Sequence, residues 1–343
     1  MVLASLWVAV CLSAPTAFAA LEETFRDEFE DRGPGDFTLA PGAWTVTGDG
    51  MFELKDGIGF SATRGLEIAT DSGQSAEVAY DHGVTHETAL WTEMEAKLAP
   101  HAPDANPPAV PESASVAFHL TTTGDVKARD GNTWISLGLN LDTAQLHRYV
   151  FKQDYLAQTW TLWIDGNLVT PAALAFANPQ QAPDKLRIVQ DPGHTSVLDH
   201  VAIRRNAPSG LTGIQDFDAW SSGIAWNGAD PTLSADPNAN NLSNLLEYAF
   251  GFPNPVNGAH TYQTGLQFDE GNAMLEITYR RNRQAEDLVY LVQSSGDLNE
   301  WTNIWPAPNA VTISPIDATT DAVTVQVPAN GDQLFLRIDL LKP

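Results

Sequence analysis

The chain has 343 residues, with 18 Lys plus Arg against 43 Asp plus Glu and a formal net charge of −25. A field of that sign repels nucleic acid and anionic membranes, which are held by basic patches, and it suits divalent cations. Hydrophobic residues make up 43%, with 25 Gly and 22 Pro, a composition that excludes a disordered chain and points to a real core with many turns.

The first 20 residues carry no charge. Leu3 to Leu12 is an apolar run of signal-peptide length, and Ala17-Phe18-Ala19 is an A-x-A cleavage signal, so export is expected, with a mature start at Ala20 or Leu21. No Lys or Arg precedes the run, which departs from the usual basic start. Cys11 lies inside this segment, so the mature protein is expected to have no disulfide. Nothing after residue 20 is long and apolar enough to span a bilayer.

Residues 21–205 read as one β domain. Alternation and β-branched or aromatic content predict strands at Ala89–Leu98, Ser115–Thr121, Thr133–Asn140, His147–Gln153, Thr159–Ile164, Lys185–Val189 and Val197–Arg204. Asp-Gly pairs at Asp49-Gly50, Asp56-Gly57, Asp130-Gly131 and Asp165-Gly166 mark tight turns. Pro100 to Glu112 holds five prolines and reads as an exposed loop. Many short strands in one domain fit a two-sheet sandwich or jelly roll.

Residues 206–260 read as a linker and a short helical segment. Ile214–Trp220 is expected as a helix burying Ile214, Phe217 and Trp220. Leu242–Phe250 is expected as a second, with Leu242, Leu245, Leu246 and Ala249 on one face and Gly251 ending it. Residues 261–343 alternate at Ala273–Arg280, Leu288–Gln293, Ala322–Val327 and Leu334–Leu340, which predicts a second, smaller β-sandwich.

Between the two β regions, Asp236 to Glu247 has the spacing of an EF-hand calcium loop. Asp236, Asn238 and Asn240 stand at positions one, three and five. Leu242 offers its carbonyl at seven, Asn244 stands at nine, and Glu247 at twelve can give both oxygens. Asn241 replaces the usual glycine at six, and asparagine is the next best residue for a left-handed backbone. With charge only on Asp236 and Glu247, the expected Ca2+ site is structural and weak, at roughly 10⁻⁴ to 10⁻³ M as in extracellular modules.

The stretch Phe217-Asp218-Ala219-Trp220, Ala235-Asp236-Pro237 and Leu242 to Gly251 resembles a module of bacterial secreted proteins related to dockerin and thrombospondin type 3 calcium repeats. That module usually reads D-P-D-G-D-G where this chain reads D-P-N-A-N-N. Tyr290 to Ser295, Asp297-Leu298, Trp301 and Phe335-Leu336-Arg337 resemble the β domain that often trails it. The first domain is similar to concanavalin A-like, LamG-type jelly rolls through Phe25 to Phe29, Trp160 to Gly166 and Leu198 to Ile203. The resemblance implies a secreted protein, and it would let Asp199 hold a structural calcium with Asp27 or Glu28.

Two acidic stretches invite comparison with enzymes. On a strand, Glu93, Glu95 and Lys97 share one face. Laminarinase-type relatives carry a third acid where Lys97 stands, so this strand is expected to be an exposed face with Leu90, Thr92, Met94 and Leu98 inward. His82 and His86 lie between Asp81 and Glu87 and read as a solvated loop. Trp134, Tyr149, Tyr155, Trp160 and Trp163 are the candidates for a sugar-stacking platform, with Trp160 and Trp163 on opposite faces so that at most one is core. The expected protein is thus mostly β: a concanavalin A-like jelly roll, an EF-hand-like joint and a second sandwich. Its expected role is non-catalytic adhesion or carbohydrate binding outside the cell, with polysaccharide or surface glycan as partner. A polysaccharide-degrading hydrolase or lyase and a structural surface-layer component are the rivals.

Overall fold

The computed structural model describes residues 23–37, 44–48, 50–71, 76–81, 89–101, 107–179, 185–252, 255–256, 265–269, 274–304, 310–328 and 334–342. The apolar N-terminal segment expected as a signal peptide, with Cys11, the turn at Asp49, and both His82 and His86 lie outside them. The chain is mostly β and divides into two compact units, Glu23–Thr212 and a second from Gly213 onward.

The larger unit contains β1 (Glu23–Asp27), β2 (Gly35–Asp36), β3 (Trp44–Thr47), β4 (Met51–Lys55), β5 (Gly65–Ala69), β6 (Ala76–Asp81), β7 (Ala89–Lys97) and β8 (Phe118–Leu120). It continues with β9 (Asp125–Asp130), β10 (Thr133–Asn140), β11 (His147–Asp154), β12 (Thr159–Ile164), β13 (Asn167–Leu168), β14 (Leu174–Ala175), β15 (Lys185–Gln190) and β16 (Thr195–Arg204). A ten-stranded antiparallel sheet runs β13-β12-β11-β7-β16-β5-β4-β2, with β1 on β16 and β14 on β12. Two three-stranded sheets, β10-β9-β8 and β15-β6-β3, supply the other layer. Side chains from all three sheets share one apolar core, among them Met94 and Leu162, Val126 and Ala128, and Trp44 and Val78. This is a jelly-roll type β-sandwich.

Two local features set its geometry. Asp165 and Gly166 both have positive φ (52° and 78°), the mirror-image turn that matches strand twist and closes the β12–β13 hairpin. Trp160, 1% exposed, crosses the core so that its indole Nε1 donates to the Arg129 carbonyl of β9 at 3.0 Å.

The second unit begins with α1 (Phe217–Ser222) and α2 (Asn244–Ala249). It goes on through β17 (Gly265–Asp269), β18 (Met274–Asn282), β19 (Val289–Ser295), β20 (Thr302–Ile304), β21 (Val311–Pro315), β22 (Thr320–Pro328) and β23 (Phe335–Leu341). Sheets β17-β18-β22-β21 and β20-β19-β23 close on a small core that includes Ile277, Val325, Val292 and Ile338. The helices pack with Ala285, Leu288 and Leu340 in a separate apolar cluster. Helix α1 starts later than expected because the Asp216 side chain caps it, accepting from the Ala219 amide. Helix α2 likewise begins after Ser243, whose hydroxyl caps the Leu246 amide.

Replacing Trp160 with Ala is expected to cost about 3–5 kcal/mol through the cavity and lost contacts. Leu168→Ala, at a side chain 37% exposed, is expected to stay within about 0.5 kcal/mol. Urea unfolding monitored by circular dichroism checks both.

Candidate functional site

The loop Asp236 to Glu247 folds as its spacing requires. Ala239 and Asn241 take positive φ (54° and 67°), so asparagine does serve the turn at position six. The Asp236 carboxylate accepts the amides of Asn240 (3.1 Å) and Asn241 (2.8 Å). Asn238 Oδ1 accepts the Asn240 amide at 3.2 Å, and Asn240 Oδ1 accepts the Leu242 amide at 2.8 Å. Across the loop, Asn240 Nδ2 and Asn238 Nδ2 both donate to Glu247 Oε1, at 2.8 and 3.2 Å. Glu247 is 1% exposed. Positions one, three, five and twelve are therefore brought together.

Leu242 turns its side chain toward the helical cluster, in keeping with a residue that would offer only a carbonyl. Asn244 is fully buried. Its amide nitrogen donates to the carbonyls of Asp230 and Thr232, and its Oδ1 has no hydrogen-bond partner. Asp236, Asn238, Asn240, Asn244 and Glu247 all carry side-chain oxygens, the ligand type that a hard cation such as Ca2+ takes; as the loop stands, the Asn238 and Asn240 oxygens are turned to backbone amides and their nitrogens to Glu247. The set holds two formal charges. No group of three or more His, Cys, Asp or Glu among the described residues is arranged to hold a metal.

The acids of the first domain each have a protein partner. Asp27 accepts from the Phe29 amide, Arg32 and the Trp44 indole, at 2.9, 2.5 and 2.8 Å. Asp199 sits in a bulge of β16 and accepts the Phe60 amide (2.7 Å) and the Thr63 hydroxyl (3.1 Å). It thereby pins a turn in which Ser61 and Ala62 have positive φ and Phe60 is exposed, an arrangement with no signal in the sequence. Glu28 pairs with Arg26. Each acid is spent on a protein donor.

The outer face of β7 also differs from expectation. Met94 and Leu98 do pack inward, but Trp91 and Glu93 on the other side are buried too. Glu93 lies between Arg148 Nε at 2.7 Å and Arg204 Nε at 3.3 Å. Trp91 meets Trp163 with ring centroids 5.1 Å apart. Residues 206–212 cross this face: Arg148 donates to the Ser209 carbonyl and the Trp163 indole to that of Thr212. Trp160 and Trp163 are consequently both buried, one in the core and one under this strap. Glu95 remains half-buried, opposite His200 on β16. Burial pushes the Glu95 carboxyl up, and the charges of Asp199 and Glu93 add to it. Burial pushes the His200 imidazole down.

The five candidate sugar-stacking rings do not share one face. Tyr149, Tyr155 and Trp160 belong to the core. Trp163 is buried under the strap, and Trp134 alone of the five is not buried. Ile135, Leu137 and Leu139 of β10 pack inward, so alternation sends Trp134 and Ser136 to the outer side. There the His119 ring meets Trp134 edge-on at 4.6 Å, and the Arg129 guanidinium lies 5.6 Å from the indole. Ser136 donates to Asp125 at 2.6 Å, and Lys127 pairs with the same carboxylate at 3.2 Å. The outer face of β8–β10 thus carries one aromatic ring within a field of donors and acceptors. Alternation along Thr133–Asn140 was the signal that singles out Trp134.

No family model matches the sequence, and no curated protein matches it. Among solved structures the chain is similar to a sialidase, at 12% identity and TM-score 0.40, over 64% of this chain and 22% of the sialidase. It is also similar to domain 4 of AbnA, a GH43 extracellular arabinanase from Geobacillus stearothermophilus in complex with arabinotriose, at 14% identity and TM-score 0.34, over 53% and 92%. A third is the CBM22-2 xylan-binding domain from Paenibacillus barcinonensis Xyn10C, at 16% identity and TM-score 0.24, over 53% and 98%. The chain spans about a fifth of the sialidase's length. All three likenesses lie below a TM-score of 0.5 and carry no argument about the site.

The folded Glu95 binds its proton more tightly than the unfolded chain does, because its pKa is raised. This group therefore costs stability at neutral pH, and the cost is relieved as pH falls through the raised value. Glu95→Gln is expected to stabilise the domain at pH 7 and to flatten that part of the pH dependence. Urea midpoints of both proteins between pH 4 and 8 check it; parallel curves would refute it.

Proposed function

We propose that the chain is a non-catalytic, exported protein that binds polysaccharide or a cell-surface glycan through the outer face of β8–β10. The observation that carries this reading is Trp134, held outside the core beside His119, Arg129, Lys127 and Ser136. A sugar presents apolar C–H faces and a rim of hydroxyls, so it needs a ring to stack on and polar groups around it. The net charge of −25 favours a neutral ligand over an acidic one. Export rests on the apolar run and the Ala17-Phe18-Ala19 signal. Against hydrolysis stands Glu93, buried between two guanidinium groups and not open beside Glu95.

The second element of the proposal is a weak structural calcium site at Asp236, Asn238, Asn240, Leu242, Asn244 and Glu247. It is supported by the EF-hand spacing, by the loop bringing Asn238 and Asn240 against Glu247, and by a buried amide oxygen, Asn244 Oδ1, left without a hydrogen bond at position nine. The sequence resemblance to dockerin-type and LamG-type modules supports export and the calcium-loop spacing and implies no particular activity.

A glycan array run beside a polysaccharide-cleavage screen tests the first element. Binding without cleavage is expected, and Trp134→Ala should weaken it at least about tenfold, the effect of roughly 1.4 kcal/mol, with the far-ultraviolet spectrum unchanged. Cleavage by the wild type would overturn the non-catalytic reading. For the second element, millimolar calcium should raise the melting temperature relative to chelator, and Glu247→Gln should abolish the rise. Identical melting in both buffers would refute the site.

A further inference from the structure

A carboxylate as buried as Glu247 needs an opposite charge or strong donors beside it. In loops of this spacing the cation meets that need. Here Glu247 Oε1 receives the side-chain N–H groups of Asn240 and Asn238, at 2.8 and 3.2 Å. The donors come from positions three and five, where the related module usually carries acids. Each amide works from both ends. Its oxygen accepts a backbone N–H and holds the turn, while its nitrogen faces Glu247. An aspartate at either position could do the first task but not the second, because its other oxygen would bring like charge against Glu247. Asp236 is also satisfied internally, by two backbone amides.

We propose that the amide groups of Asn238 and Asn240 stand in for the cation, so that the loop is closed and α2 is seated without metal. Calcium binding is then an exchange: the ion displaces two N–H···O bonds from Glu247 and draws the amide oxygens toward itself. The exchange half of this inference rests on the calcium reading above; the stand-in half does not. Exchange accounts for a weak site on grounds separate from charge count, since the ion must replace bonds that already exist. It also gives the asparagines a purpose beyond supplying oxygen. They make the seating of α2, whose six residues are all buried, independent of metal supply.

The test uses the full chain carrying Asn238→Asp and Asn240→Asp, melted in chelator and in millimolar calcium, with terbium luminescence reporting ion binding. In chelator the double variant should melt well below wild type, because three carboxylates then face one another. Calcium should restore its melting temperature, and its ion affinity should exceed that of wild type by about tenfold or more, as affinity follows ligand charge. Adding Glu247→Gln should recover much of the loss in chelator and remove the calcium response. If the double variant fails to fold even with calcium, Asn240→Asp alone is read in the same way. Unchanged melting of the Asp variant in chelator would overturn the stand-in, and so would a wild type that unfolds in chelator and refolds only with calcium. A wild type that binds neither calcium nor terbium, together with a destabilised Asp variant, would discard the calcium reading and leave the stand-in intact.

Discussion

Glu93 occupies the middle of β7, itself flanked by β11 and β16 in the large sheet, and its two oxygens face Arg148 and Arg204. A carboxylate this buried persists because both guanidinium groups come with it, one of them held in turn by the Ser209 carbonyl. The strap of residues 206–212 and the Trp91–Trp163 contact complete the cover. With the core on one side and this cover on the other, the strand is sealed on both faces from Trp91 to Met94. The largest sheet of the molecule is thereby denied an open carboxylate pair at its centre. The outer face of the short sheet β8–β10 carries Trp134 and its polar neighbours.

The second unit meets a related difficulty at smaller scale. Its sandwich core is thin, and the helical cluster beside it is built around a short helix that could not persist alone. What seats α2 is a dense set of polar contacts: Ser243 at its start, Asn244 clamped to the carbonyls of Asp230 and Thr232, and Glu247 closed over by two amides. Tyr248 extends the set, its hydroxyl within hydrogen-bond reach of both the Gln215 carbonyl and Asp287. Burial raises the Asp287 carboxyl, and the bonds from Tyr248 and the Phe217 amide oppose that rise. In both units a buried carboxylate is answered by donors of the chain itself.

Strands whose two faces differ sharply were legible in the sequence. Thr133–Asn140 and Thr159–Ile164 stand where alternation places them. The strands before Ala89 were not read, because runs such as Met51–Lys55 are short and bury only two side chains, Phe52 and Leu54. β9 escaped for the same reason, since Asp125, Lys127 and Arg129 outweigh the two small inward residues, Val126 and Ala128. The loop at Asp236 was legible because its spacing is local. The fate of Glu93 was not, because its partners come from β11, β16 and a strap more than a hundred residues away. Whether an outward residue meets water depends on what later crosses it, and a period-two pattern holds no record of that.

The strap has a consequence for how this domain tolerates being cut. Arg204 ends the last strand of the large sheet, so a chain severed just after it would keep every backbone ladder of the sandwich. It would nonetheless lose Asn206, Ala207 and the carbonyls of Ser209 and Thr212, and bare two neighbouring indoles and an arginine–carboxylate cluster. Adjacent apolar rings opened to solvent favour self-association over clean solubility. The folding unit and the colloidal unit therefore end at different residues, and a protease that nicks between them would release a folded but adhesive fragment.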